Sequence, residues 1–111
     1  MARIRAPEER IAYTVRYAGR AWPFRFRLVE LKDGSWRAYI LQQPDYGRRF
    51  TNPFATHRLL DREGQYICWT EPLTHDQLLA VVALWCKCTV LYICRGGSMN
   101  RIAAQLKQRS A

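Results

Sequence analysis

From Leu78 to Cys94 the chain is apolar at every position except Lys87 and Thr89, a run of 17 residues. Leu78, Val81, Val82, Trp85, Thr89 and Tyr92 recur along it at helical spacing. The run is shorter than the ~20 residues that span a bilayer and carries a lysine near its middle, so a buried helix is expected and no membrane segment. A helix apolar on all sides must be covered on more than one of them. A sheet would cover one side, and the C-terminal segment or a second subunit another.

The start of this helix is well marked. Thr74 can cap it, Gln77 completes a capping box, and Leu73 with Leu78 forms a hydrophobic staple. Gly96-Gly97 ends it, because glycine tolerates the left-handed terminal conformation. Ser98 to Arg109 reads as a second, weaker helix with Met99, Ile102, Ala103 and Leu106 on one face.

Upstream the period changes to two. Ile11 to Tyr17 reads as a strand with Tyr13, Val15 and Tyr17 on one face and Thr14 and Arg16 on the other, and Ala18-Gly19-Arg20 turns the chain. Phe24 to Leu31 alternates again, Asp33-Gly34 makes a tight turn, and Trp36 to Leu41 returns beside it. An irregular stretch runs from Gln42 to roughly Thr56. His57 to Leu60 and Gln65 to Trp69 then form a second hairpin around Arg62-Glu63-Gly64. This order predicts an α+β fold: an antiparallel sheet of four or five strands, the long apolar helix packed on one face, and a short C-terminal helix. All 111 residues are expected in one domain, with residues 1–10 flexible.

Fifteen of the eighteen basic residues are arginine, against nine Asp and Glu, for a net charge of +9. Arginine joins a permanent charge to a planar fork that matches phosphate and a face that stacks on rings. The composition therefore points to an anionic partner: nucleic acid, or an acidic protein surface. If Phe24, Phe26, Leu28, Trp36, Ala38 and Ile40 face the helix, then Arg25, Arg27, Arg37 and Tyr39 share the outer face, and Arg16 extends it. Such a face is a platform for stacking bases and holding phosphates, although any half-buried sheet also needs a solvated side. In the long loop, Phe50 and Phe54 are expected to pin the chain to the core, with Arg48 and Arg49 outward and Tyr46 available for stacking.

Catalytic patterns are not found. Cys86 and Cys88 lie two apart in a helix, about 200° around its axis, and so point away from any shared metal. A Cys68–His57 pair across the second hairpin is conceivable but matches no protease signature. His75 decorates the helix start, the carboxylates are scattered along the sequence, and no phosphate-cradling glycine loop occurs. No enzyme activity, cofactor or metal is expected. Residues 1–10 lack the features of a signal peptide, which places the chain in the cytoplasm with its four cysteines reduced.

One stretch carries a resemblance. His57-Arg58-Leu59, Gln65-Tyr66-Ile67-Cys68-Trp69, Ala83-Leu84-Trp85 and Tyr92-Ile93 look like segments of short uncharacterised proteins carried by phages and mobile elements. That group includes inhibitors of host defence, anti-CRISPR proteins among them, and the resemblance implies a small, non-enzymatic single domain. Three readings follow. The first is a protein acting on nucleic acid or a ribonucleoprotein through its basic surface. The second is an anti-CRISPR-like inhibitor gripping an acidic host protein. The third is an assembly protein whose apolar helix makes a homodimer.

Overall fold

Strand β1 (Glu9–Tyr17) pairs antiparallel with β2 (Arg20–Glu30) along its whole length, from Glu9 opposite Leu28 to Tyr17 opposite Arg20. The computed structural model describes residues 8–110, the side chains of 109 and 110 excepted. The two-residue turn holds Ala18 and Gly19 at positive φ, 55° and 76°, as a tight hairpin between twisted strands requires. Residues 1–10 were expected to be flexible; Glu9 and Arg10 instead belong to β1, and residues 1–7 lie outside the described part.

Strand β3 (Trp36–Gln42) returns beside β2 after the Asp33-Gly34 turn, which Asp33 tightens by accepting from the Ser35 backbone and hydroxyl. The register shifts between Arg25 and Phe26, so Leu41 is an extra residue on β3. After the loop comes a single helical turn, α1 (Pro53–Thr56). A short hairpin of β4 (Arg58–Asp61) and β5 (Gly64–Ile67) completes a five-stranded sheet in the order β1-β2-β3-β5-β4. Strand β4 starts one residue later than expected because His57 adopts a left-handed conformation (φ 53°) that ends α1, and β5 runs from Gly64 to Ile67 rather than to Trp69.

Helix α2 (His75–Arg95) begins with the full capping box between Thr74 and Gln77, and Leu73 and Leu78 are both buried in the core. It is long and apolar enough to cross a membrane by length and composition; half of that stretch is buried here against the sheet and α3 (Met99–Ser110). Met99 and Ile102 are buried on the α3 side, with Ala103 and Leu106 packed beside them. On the sheet side, the Trp85 ring meets those of Phe24 and Phe26 in T-shaped contacts at centroid distances of 5.9 and 6.0 Å. Its indole N–H donates to the Thr56 carbonyl (3.0 Å), which ties α2 to α1.

Helix α2 runs alongside β1 in the same direction. His75 pairs with Glu9 at one end, and Arg95 reaches the Tyr17 hydroxyl at the other. Both elements are about 30 Å long, 21 residues at helical rise and nine at strand rise.

Candidate functional site

The outer face of the sheet is not the open platform that alternation suggested. Arg27, Arg37 and Tyr39 do lie on it, but they are engaged with one another and with carboxylates. The Tyr39 hydroxyl donates to Asp61 Oδ2 (2.7 Å), and Arg37 pairs with the same oxygen (3.1 Å). Arg27 lies over the Tyr39 ring and bridges Glu8 and Glu63, both at 3.1 Å. Arg37 stacks over Tyr66, whose ring meets Tyr39 edge-on. Tyr39 is left 1% exposed, too buried to stack on a ligand, and with Val29 and Leu31 it forms a second small core. Burial alone would raise the Asp61 carboxyl's pKa. The Tyr39 hydroxyl, the backbone N–H groups of Glu63 and Gly64 and the Arg37 charge outweigh it and hold the group below its ordinary value.

The loop reverses the expected division of labour. Phe50 and Phe54 are 77% and 84% exposed, whereas Tyr46 is buried between Tyr92 and the Arg58 guanidinium. Tyr46 is therefore also unavailable for stacking. Arg49 points inward: its Nε donates to the Ile93 carbonyl (3.1 Å), and its guanidinium lies where a Cβ on Gly96 would sit, so it closes the end of α2. Asn52 caps α1 by accepting from the Ala55 N–H, with Pro53 at the first helical position, and this turn holds the Phe54 ring outward. The Phe50 carbonyl, rather than its ring, is what the core holds, through the Tyr92 hydroxyl (2.9 Å).

Carboxylates scattered in sequence are gathered at one end by the fold. Glu8 precedes β1 and Glu9 opens it, Glu30 and Asp33 flank the β2–β3 turn, and Asp61 and Glu63 of the β4–β5 turn reach Arg37 and Arg27, the latter shared with Glu8. Glu71 lines the same cleft as Asp33, and Asp76 stands in the first turn of α2. Only Asp45 lies at the opposite end. There Arg16 and Arg20 flank the β1–β2 turn, Arg25 pairs with the last residue of β3, and Arg48 and Arg49 sit on the loop. Arg58 opens β4, and Arg95 and Arg101 bracket the α2–α3 junction. Among the described residues none of these eight arginines has a carboxylate partner. Where they are bound, it is to uncharged groups: Arg20 over Trp22, Arg95 to Tyr17, and Arg58 to Gln43, Gln65 and the Thr51 carbonyl. Arg16, Arg25 and Arg48 are exposed and without a partner among the described residues, and they are the expected site residues that remain open to a ligand. The positive end of α2 faces the acidic side, where it complements the carboxylates and offsets a small part of the charge separation.

Between α2, α3 and the end of β5 lies a cleft of about 310 Å³, lined by His57, Cys68, Trp69, Cys88 and Met99 among others. His57 and Cys68 are joined there by a backbone hydrogen bond, Cys68 N–H to the His57 carbonyl (2.9 Å). No side-chain hydrogen bond links thiol to imidazole, so the pair lacks the arrangement of a nucleophile and its base. Cys86 and Cys88 are buried; burial pushes the Cys86 thiol up and the Cys88 thiol up to about 11. In thiol titration of the folded protein, exposed Cys94 should react first, with Cys86 and Cys88 silent until denaturant is added. Equal rates at all four cysteines, or one zinc per chain by elemental analysis, would contradict this packing. Comparison of the chain with protein-family models, curated proteins and solved structures finds no match.

Proposed function

We propose that this is a small non-enzymatic binding protein of the mobile-element kind, acting on nucleic acid or a ribonucleoprotein in the cytoplasm. Its arginine end takes the phosphate backbone, and Phe50 and Phe54 stack unpaired bases. The observation that carries this reading is the segregation of charge: eight arginines at one end stand against Asp45 alone. A merely solubilising excess of arginine would be interspersed with acid on every side. Two exposed phenylalanines at that same end favour single-stranded over duplex substrates, because stacking requires splayed bases.

The test is fluorescence anisotropy with labelled single-stranded oligonucleotides over a range of salt. Arg16→Gln, Arg25→Gln and Arg48→Gln combined should leave the fold intact and lower the salt slope by about two to three units. Phe50→Ala or Phe54→Ala should weaken binding by about 1–3 kcal/mol each with the slope unchanged. An unaltered slope in the folded triple variant would remove the basic end as the interface.

A further inference from the structure

Strand β1 is the long edge of the sheet. Among the described residues it pairs only with β2, and its other side opens into a cleft of about 310 Å³. Tyr13 to Tyr17 of β1, Lys87, Leu91 and Arg95 of α2, and Leu106 of α3 line it. Among the described residues no carboxylate lines it, and Arg16, Lys87 and Arg95 are all exposed. The opposite edge, β4, has only four residues. Folds usually protect an edge of nine residues, because its unpaired N–H and C=O groups are a template for another strand.

The geometry points to β1 as a docking edge for an extended acidic peptide segment of a protein partner, added as a sixth strand. Lys87, Leu91 and Arg95 are spaced four residues apart, so about 6 Å separates each from the next along the helix. Side chains on one face of a strand recur at about 6.6 Å. Helix α2 runs parallel to β1, so a strand laid beside β1 meets these three residues in step. The matching segment reads acidic-x-apolar-x-acidic, its carboxylates against Lys87 and Arg95 and its apolar side chain over Leu91 and Leu106. Main-chain hydrogen bonds to β1 supply affinity and the alternate side chains supply specificity. A second copy of the chain is a poorer occupant. Antiparallel self-pairing about Tyr13 would set Arg10 opposite Arg16 in both halves, and like charges directly opposite destabilise a ladder. The cleft shares Arg16 and Arg95 with the arginine end, but the proposal rests on the unpaired strand edge and on Lys87, so it stands if the nucleic-acid reading fails.

The experiment uses the full chain and a fluorescein-labelled decapeptide of alternating Thr and Val carrying a central Glu-x-Leu-x-Glu. Saturable binding is expected. Methylating the alternate backbone nitrogens that face β1 should weaken it about tenfold or more, since each lost hydrogen bond is worth roughly a factor of two to ten. Lys87→Glu with Arg95→Glu should abolish binding of the Glu peptide, and a Lys-x-Leu-x-Lys peptide should then bind the variant, which shows the variant is folded. The Arg25→Gln and Arg48→Gln substitutions should leave peptide affinity unchanged. The proposal is overturned if N-methylation has no effect, or if the charge-reversed pair does not switch preference. It is equally overturned if sedimentation shows a dimer that the peptide cannot dissociate, or if a single-stranded oligonucleotide loses affinity through Lys87→Glu and Arg95→Glu while the peptide does not.

Discussion

Replacing Trp85 with alanine is expected to destabilise the fold by about 3–5 kcal/mol, the range for truncating a large buried aromatic. Three losses coincide at this position. The side chain is 4% exposed, its ring makes T-shaped contacts with both Phe24 and Phe26, and its N–H satisfies the Thr56 carbonyl. Thr56 is itself a junction, because its hydroxyl donates to the Asn52 carbonyl and accepts from Arg58 Nε. Trp85→Phe keeps a ring against the sheet but orphans that carbonyl, and should cost less, about 1–3 kcal/mol for an unsatisfied buried group together with lost volume. Urea melts of the two variants beside the wild type measure both values. A loss below about 1 kcal/mol for Trp85→Ala would mean that the helix does not present this face to the sheet.

Asp61→Ala should cost about 2–3 kcal/mol, less than a fully buried pair would because both side chains keep some contact with water. The carboxylate does three things at once. It accepts the buried Tyr39 hydroxyl, pairs with Arg37, and through Oδ1 accepts the Glu63 N–H that shapes the β4–β5 turn. Removing it leaves a buried phenol and a half-buried guanidinium without their acceptor. Asp61→Asn retains an acceptor and should lose less. Acid provides the same test without mutation. The folded pKa of Asp61 lies below its ordinary value of 3.8, so its contribution is complete above that pH and disappears as pH falls through the folded value. Wild-type stability should therefore decline below about pH 4, and Asp61→Asn should show a shallower decline over the same window. Parallel acid limbs in the two proteins would place the controlling carboxylate elsewhere.

Local rules were enough to read much of the architecture from the chain. The Thr74–Gln77 box, the Leu73–Leu78 pair and Gly96 mark the ends of α2 within its own sequence, and alternation in β1, β2 and β3 assigns their inward faces. The outer face was legible only in part, because alternation does not distinguish an open arginine–tyrosine surface from a covered one. What covers Tyr39 is Asp61, 22 residues away in sequence and brought near only when β5 pairs with β3. The loop departs from expectation for a different reason. Aromatics in a long loop are expected to pin it to a core, but Asn52-Pro53 is the signature of a capped helical turn, and that turn carries Phe54 outward while Phe50 is held by its carbonyl. Nor does the linear order of charges reveal their separation. The carboxylates are dispersed along the chain, and it is the β2–β3 turn, the reach of Asp61 to Arg37 and of Glu63 to Arg27, and the direction of α2 that bring them toward one side.

That separation gives the molecule a large electric moment directed along α2 and β1, which has consequences before any contact forms. A polyanion exerts a torque on such a body and turns the arginine end forward, so productive encounters exceed those of a uniformly charged protein of equal net charge. At physiological salt the field fades over about 8 Å. The long axis measures 39 Å, so this rotation happens in the last stage of approach, when the protein is already within a fraction of its own length of the partner. Raising the salt shortens that final stage and so slows association with any polyanion.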